Sequence, residues 1–187
     1  MTVQRIEGRR FDDPRGWFME VYSEARFADL GITCRFTQDN QSRSVSRHTL
    51  RGLHFQGPPH GQAKLVRCIR GEVFDVAVDI RRGSPTYGQW TGMRLSAASG
   101  DQLFIPEGYA HGFLTLEPEC EVGYKCSDGY APAYEGGIRW DDPDIAIDWP
   151  LPAGTMPNLS ARDACQPLLA DLDSPFAYGG RPPLALT

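Results

Sequence analysis

Along EVFDVAVDI, residues 72–80, apolar and polar side chains alternate. Phe74, Val76, Val78 and Ile80 share one face, while Val73, Asp75, Ala77 and Asp79 share the other. A period of two is that of a strand, in which successive side chains point to opposite faces. KLVRCIRG, QWTGMRLSA, DQLFIPEG, HGFLTLE and CEVGYKCSD are similar short runs, each bounded by turn residues. Helical spacing is confined to SEARFADLG near the start and LSARDACQPLL near the end. The 20 Gly and 15 Pro punctuate the chain at fairly even intervals, so the expected architecture is an antiparallel sandwich or barrel. The pattern shows no repeat and no second domain. A single domain is expected over 1–173, followed by a Gly- and Pro-rich extension, 174–187, expected to be loosely held.

Two features interrupt this pattern. Carboxylates pointing into a narrow barrel are costly unless hydrogen-bonded, so the face carrying Asp75 and Asp79 lines a wet pocket or lies at a rim. In LRGLHFQ, His54 stands between Leu53 and Phe55 and should point alone across a strand. Its neighbours leave open a packed imidazole, a metal ligand and a base.

Composition narrows the classes. A chain of 187 residues suits one domain with a sizeable core. A net charge of −5 gives no general basic footprint for nucleic acid. The longest apolar run is broken by Asp75 and Asp79, and no segment could span a bilayer. The start, MTVQRIEGRRF, lacks the apolar region of a secretory leader, so the expected location is the cytoplasm. Five scattered cysteines without a C-x-x-C pair suggest reduced thiols, buried as small hydrophobes, rather than disulfides or a zinc site.

GDQLFIPEGYAH, Gly100 to His111, reads G-x5-P-x-G-x2-H and resembles the second motif of the cupin superfamily, whose final His is a metal ligand. The first cupin motif supplies two His and a Glu, followed after six residues by a Gly. Aligned on Gly71, it places Pro58 at the first His and Lys64 at the Glu, and only His60 matches. An ammonium in place of a carboxylate ligand repels a metal cation. The expectation is a cupin barrel without its metal, in which His54 and His111 are free for organic chemistry and His60 is merely exposed in a loop.

FDDPRGWFMEVY, FTQDNQSRS, the long run from LRGLHFQ to TYGQW, IPEGYAHGFLTL, GYKCSDGYAP, IRWDDPDIAIDWP and LSARDA occur in order from about Phe11 to Leu169. Together they resemble the dTDP-4-dehydrorhamnose 3,5-epimerase family. The resemblance implies a mainly β, metal-free cupin jelly roll with a few short helices, working as a homodimer without a cofactor. Its implied substrate is the nucleotide sugar dTDP-4-dehydro-6-deoxy-D-glucose, inverted at C3 and C5 on the way to dTDP-L-rhamnose.

Inverting a carbon beside a carbonyl means removing a proton from one face and returning one from the other, so a base and an acid must flank the ring. The resemblance assigns the base to His54, an imidazole with an ordinary pKa near neutrality. It pairs His54 with Asp163 and gives the opposite face to Tyr124 as proton donor. Ser160-x-x-Asp163 also reads as a helix-capping pattern, which is the reading the residues alone favour. Lys64 and His111 match substrate-binding positions and could meet the charge developing on the C4 oxygen. For the diphosphate, the planar fork of Arg suits phosphate oxygens, and Arg15, Arg51 and Arg162 match. Glu20, Gln38, Asn40 and Glu135 match positions that reach the base or sugar, and Tyr130 matches the aromatic that stacks on thymine.

The chain departs from the family pattern in places. The segment before Phe11 is short compared with many relatives, in which an N-terminal strand helps the dimer, and nothing in AYGGRPPLALT matches. Related enzymes invert only one centre, or act on another nucleotide 4-keto sugar, with nearly the same groups. Two other classes are a metal-dependent cupin, opposed by Lys64, and a non-catalytic sugar-nucleotide-binding cupin, opposed by the joint presence of His54, Asp163 and Tyr124.

Overall fold

The computed structural model describes residues 2–180. Its strands are β1 (Gln4–Ile6), β2 (Arg10–Asp13), β3 (Gly16–Met19), β4 (Gln38–Ser44), β5 (Leu50–Gln56), β6 (Lys64–Arg70), β7 (Glu72–Asp79), β8 (Trp90–Ser96), β9 (Gln102–Ile105), β10 (Tyr109–Thr115), β11 (Cys120–Cys126) and β12 (Glu135–Gly137). Ten of them form two antiparallel five-stranded sheets, ordered β1-β9-β6-β11-β4 and β12-β5-β10-β7-β8. The β2-β3 hairpin stands apart from both. The expected mainly β jelly roll is the observed architecture.

The alternation along β7 resolves into two different cores. Val73 and Ala77 join Val66, Leu103, Phe113 and Val122, a cluster drawn from both sheets. Val76, Val78 and Ile80 pack on the other side with Leu53, Phe55, Ile138, Trp149 and Phe176. The second sheet therefore packs apolar residues on both faces, and is covered behind by the C-terminal part of the chain. A third, smaller cluster, including Ile6, Phe27, Leu65 and Phe104, lies under α1 (Glu24–Asp29).

Both helices fall within the expected segments and both are short. After α1, Gly31 takes φ +79°, the left-handed conformation that commonly ends a helix. α2 (Ala161–Ala164) is a single turn, with Pro167 soon after it. β4 carries no alternation of apolar residues at all: its sequence is QDNQSRS, and pairing with β11 at seven successive positions holds it in the sheet.

Two expectations need correction. The extension from Ser174 is not loose at its start. The Ser174 hydroxyl donates to the Ile80 carbonyl, Arg82 N–H donates to Phe176 O and Tyr178 N–H to Arg82 O, both at 2.9 Å. Phe176 packs edge-on against Phe55 with ring centroids 6.0 Å apart, an apolar anchor within a Gly- and Pro-rich run. Residues 181–187 of that extension lie outside the described residues. The five cysteines are free thiols, but they are not all buried, since Cys34 is half-buried and Cys165 exposed. Among the described residues no helix is long and apolar enough to cross a membrane.

Candidate active site

The site begins with one close approach. In β5, Gly52 has φ +132°, and a Cβ there would sit 2.5 Å from Gly112 Cα in β10. Only glycine permits strands so tight at that point. Their register sets His54 directly opposite His111. Leu53 and Phe55 turn into the rear core, so His54 emerges alone on the cleft side.

His54 Nε2 lies 2.6 Å from Asp163 Oδ1. Asp163, in α2, is buried at 5% exposure. Burial pushes its carboxyl up, but the His54 bond and charge, the Ser160 hydroxyl and the Gly52 backbone together bring it below its ordinary value. Asp163 is thus a carboxylate that holds the Nε2–H tautomer and leaves Nδ1 as the basic nitrogen. The Asp163 N–H also donates to Ser160 Oγ at 3.0 Å. The capping and dyad readings are both realised, one by the backbone and the other by the side chain.

His111 forms a second pair. Its Nε2 lies 3.1 and 3.0 Å from the two oxygens of Asp75. Burial, with smaller contributions from Lys64 and His54, lowers the His111 pKa against the opposing pull of Asp75. His111 is accordingly neutral, donating Nε2–H to Asp75. The two carboxylates of β7 therefore part company. Asp75 supports the cleft, whereas Asp79 is consumed in a buried turn by Arg81, Ser84 and Thr86 at 2.6 to 2.8 Å. Burial raises the Asp79 carboxyl, but those partners outweigh it.

Lys64 and Tyr124 come from the opposite sheet, on β6 and β11. Lys64 Nζ reaches the His54 carbonyl at 3.5 Å. Burial lowers its pKa, partly countered by Cys126, Asp75 and Glu135. Burial raises the Tyr124 phenol, with Cys126 and Glu135 adding and Arg51 opposing, so the hydroxyl keeps its proton. His54, Lys64 and Tyr124 all line two adjoining cavities of about 270 and 320 Å³. The first cavity also holds His111, Asp163, Arg51 and Arg162. The second holds Gln38, Asn40, Tyr130 and Glu135. An imidazole on one sheet thus faces a phenol on the other across a polar cleft, with the Lys64 side chain beside them.

The rim is knitted together. Gln38 Oε1 accepts from Tyr130 N–H at 2.9 Å, and Gln38 Nε2 donates to Asn40 Oδ1 at 3.0 Å. Glu135 Oε2 accepts from Tyr130 OH at 2.8 Å and Arg162 Nη1 at 2.9 Å. Burial raises the Glu135 carboxyl, but those two partners more than compensate. Arg51 donates to Ser44 Oγ and to the Arg43 carbonyl, both at 3.1 Å.

Two expected residues do not join this cleft. Arg15 sits in the β2-β3 turn, paired to Asp13 at 2.6 Å with 89% of its side chain exposed. Glu20, just beyond β3, lies 4.0 Å from Arg26. The hairpin that carries Arg15 projects from its own barrel, with Phe11, Trp17 and Phe18 half-exposed or more. His60 also departs from expectation. It is not merely exposed, because its Nδ1 lies 3.0 Å from Asp128 Oδ2.

The sequence reading missed Ser42, Gln56, Gln62 and Cys126 in the cleft walls. Ser42 follows Gln38 and Asn40 on the inward side of β4, so the period of two could have found it. Its hydroxyl is buried without a partner among the described residues. Also among the described residues, no three His, Cys, Asp or Glu side chains gather as metal ligands.

Comparison with known proteins bears on this geometry. A family model described as dTDP-4-dehydrorhamnose 3,5-epimerase matches residues 2–171. The dTDP-4-dehydrorhamnose 3,5-epimerase of Methanothermobacter thermautotrophicus is 60% identical over 146 residues, covering 78% of each chain. The dTDP-4-dehydrorhamnose 3-epimerase of Streptomyces niveus is 49% identical over 170 residues, covering 90% of this chain and 80% of its own. A crystal structure of the Legionella pneumophila dTDP-6-deoxy-D-glucose-3,5-epimerase, in complex with dTDP-4-keto-L-rhamnose, superposes with a TM-score of 0.85 at 49% identity. That match covers 90% of this chain and 88% of the other.

Proposed function

This chain belongs to the dTDP-4-dehydrorhamnose 3,5-epimerase family, and on that premise we propose that His54 and Tyr124 exchange protons on opposite faces of a dTDP-4-keto sugar. The enzyme is an isomerase that converts dTDP-4-dehydro-6-deoxy-D-glucose to dTDP-4-dehydro-L-rhamnose by inversion at C3 and C5. The observation that carries the residue assignment is the placement of His54–Asp163 and Tyr124 on facing sheets of one cleft.

The C4 carbonyl acidifies the protons on C3 and C5. Nδ1 of His54 takes such a proton, and Asp163 stabilises the resulting imidazolium. The C–H electron pair moves toward the C4 oxygen, where Lys64 supplies a fixed positive charge that needs no reorganisation. The protonated Tyr124 then delivers a proton to the other face, and solvent restores both groups. Asp75 fixes His111 as a neutral hydrogen-bonding group beside the reacting oxygen. Arg51 and Arg162 suit the diphosphate, Tyr130 presents an exposed ring to the base, and Gln38, Asn40 and Glu135 add polar reach. Lys64 also supports a reaction without a metal, since it stands at a cupin ligand position.

A homodimer explains the residues left out. A second copy would cover the exposed hairpin aromatics and receive Arg15 and Glu20 at its own cleft. Light scattering should give twice the chain mass, and a monomer at micromolar concentration would refute this. Free thiols throughout support residence in the reducing cytoplasm.

Incubation with dTDP-4-dehydro-6-deoxy-D-glucose in deuterated water tests the activity. NMR should show deuterium entering both C3 and C5 with inversion at each. Exchange at C3 alone would favour a single-centre enzyme, a reading supported by the Streptomyces niveus 3-epimerase among the relatives.

A further inference from the structure

Tyr130 is 60% exposed, so packing does not fix its ring. Its hydroxyl is held at the far end by Glu135 at 2.8 Å, and its backbone end by the turn that carries it, Asp128 to Ala131. That turn is gripped by side chains from outside itself. Gln62 Nε2 donates to the Asp128 carbonyl at 2.9 Å. Gln56 Nε2 donates to the Gly129 carbonyl at 2.9 Å, while Gln56 Oε1 accepts from Ala131 N–H at 2.8 Å. Gln38 holds Tyr130 N–H from β4. All of these grips are neutral amides. A further link joins the His60 ring to the Asp128 carboxylate, Nδ1 to Oδ2 at 3.0 Å.

His60 is itself located on three sides. Its carbonyl accepts from the same Gln56 amide at 2.6 Å. Its N–H donates to the Gly57 carbonyl at 3.1 Å. Its ring lies 5.0 Å from that of Tyr134. Asp128 spends its other oxygen on Gly129 N–H at 2.7 Å, closing the turn. The loop after β5 is thereby tied to the turn after β11, one on each sheet, at the mouth of the cleft.

We propose that His60 and Asp128 form a clasp that positions Tyr130 for the nucleotide base, making His60 a positioning residue for binding rather than for proton transfer. This rests on the reading of the cleft as a dTDP-sugar site. The link is solvent-facing and its ends are otherwise held, so its removal should have a modest effect confined to nucleotide affinity.

Titration calorimetry with dTDP provides the test. Tyr130→Ala should weaken binding about 5- to 100-fold, the range for loss of one base–aromatic stack. His60→Ala should weaken it about 2- to 5-fold, the scale of a weak net contribution from one exposed hydrogen bond, and should raise KM while leaving kcat unchanged. Asp128→Asn, which keeps an acceptor for Gly129, should move in the same direction. The deciding measurement is the double variant, because residues acting through one another are not additive. With Tyr130 already removed, His60→Ala should cost nothing further. Wild-type affinity in His60→Ala, or an equal loss with and without Tyr130, would overturn the clasp. Failure of the wild-type chain to bind dTDP would overturn the nucleotide reading itself, and the clasp with it.

Discussion

The cleft contains two His–Asp pairs whose chemistry differs because their surroundings differ. His54 meets Asp163 across 109 residues of sequence, at 2.6 Å, with 28% of the imidazole exposed. His111 meets Asp75 at 3.0 Å, with 7% exposed and the carboxylate fully covered. The first imidazole is open to the cleft and to solvent. Burial holds the second neutral, so it serves as a fixed dipole. The same two side chains make an accessible pair in one place and an enclosed one in the other, the difference on which the proposed roles rest.

The largest effect expected is at the exposed pair. His54→Ala should abolish deuterium exchange and epimerisation together, a loss of about 100- to 10,000-fold on the scale of general acid–base catalysis. Wild-type exchange in that variant would mean another base and would erase the distinction between the pairs. Tyr124→Phe should separate the two readouts. Proton abstraction by His54 continues, so isotope still enters, but inversion is lost because the proton returns to its original face. Loss of exchange and inversion in equal measure would show that Tyr124 is not confined to the second step.

At the buried pair the effect should appear as stability. Asp75→Ala strands the His111 Nε2–H in the interior, which costs about 1–3 kcal/mol in urea unfolding. Asp163→Ala should cost less in stability and more in kcat, since its partner is open to solvent. The reverse pattern would exchange the roles of the two pairs.

Acid should also distinguish them, by a smaller margin. The His111 pKa is depressed in the fold from 6.5, so the unfolded chain binds the proton first. Stability from keeping His111 neutral is complete above that value and falls as pH drops below it. The Asp163 pKa is depressed from 3.8, so its contribution holds above the carboxylate range and falls only at lower pH. Urea midpoints followed downward in pH should decline in that order, and His111→Gln should remove the earlier part of the decline.

Much of this was legible along the chain. The period of two in β7 gave both the strand and its two faces, and Leu53 and Phe55 isolated His54 on the far side. The Gly100–His111 turn and the family motifs named most of the cleft. β4 was not legible by pattern, because QDNQSRS has no apolar residue, and its place comes from backbone pairing with β11. Phe176 was hidden by the Gly and Pro around it, although one aromatic suffices to anchor a strap when the rear face of β5 offers a partner.

The sequence by itself determined the alternating strands, the family and the residue types needed for proton transfer, because these depend on local periodicity and ordered motifs. Only the tertiary structure decided which carboxylate served which purpose. Asp75 and Asp79 share one face of β7 at a spacing of four residues, yet the first lies beside His111 in the cleft and the second beneath Arg81 in a turn. Asp163 could donate its N–H to the Ser160 cap and hold a histidine at once because a backbone N–H and a carboxylate point in different directions. Arg15 and Glu20 were expected in the site from a motif match but lie away from their own cleft. Burial, partner and distance are properties of the assembled sheets, and strand order and register set them across residues far apart in sequence.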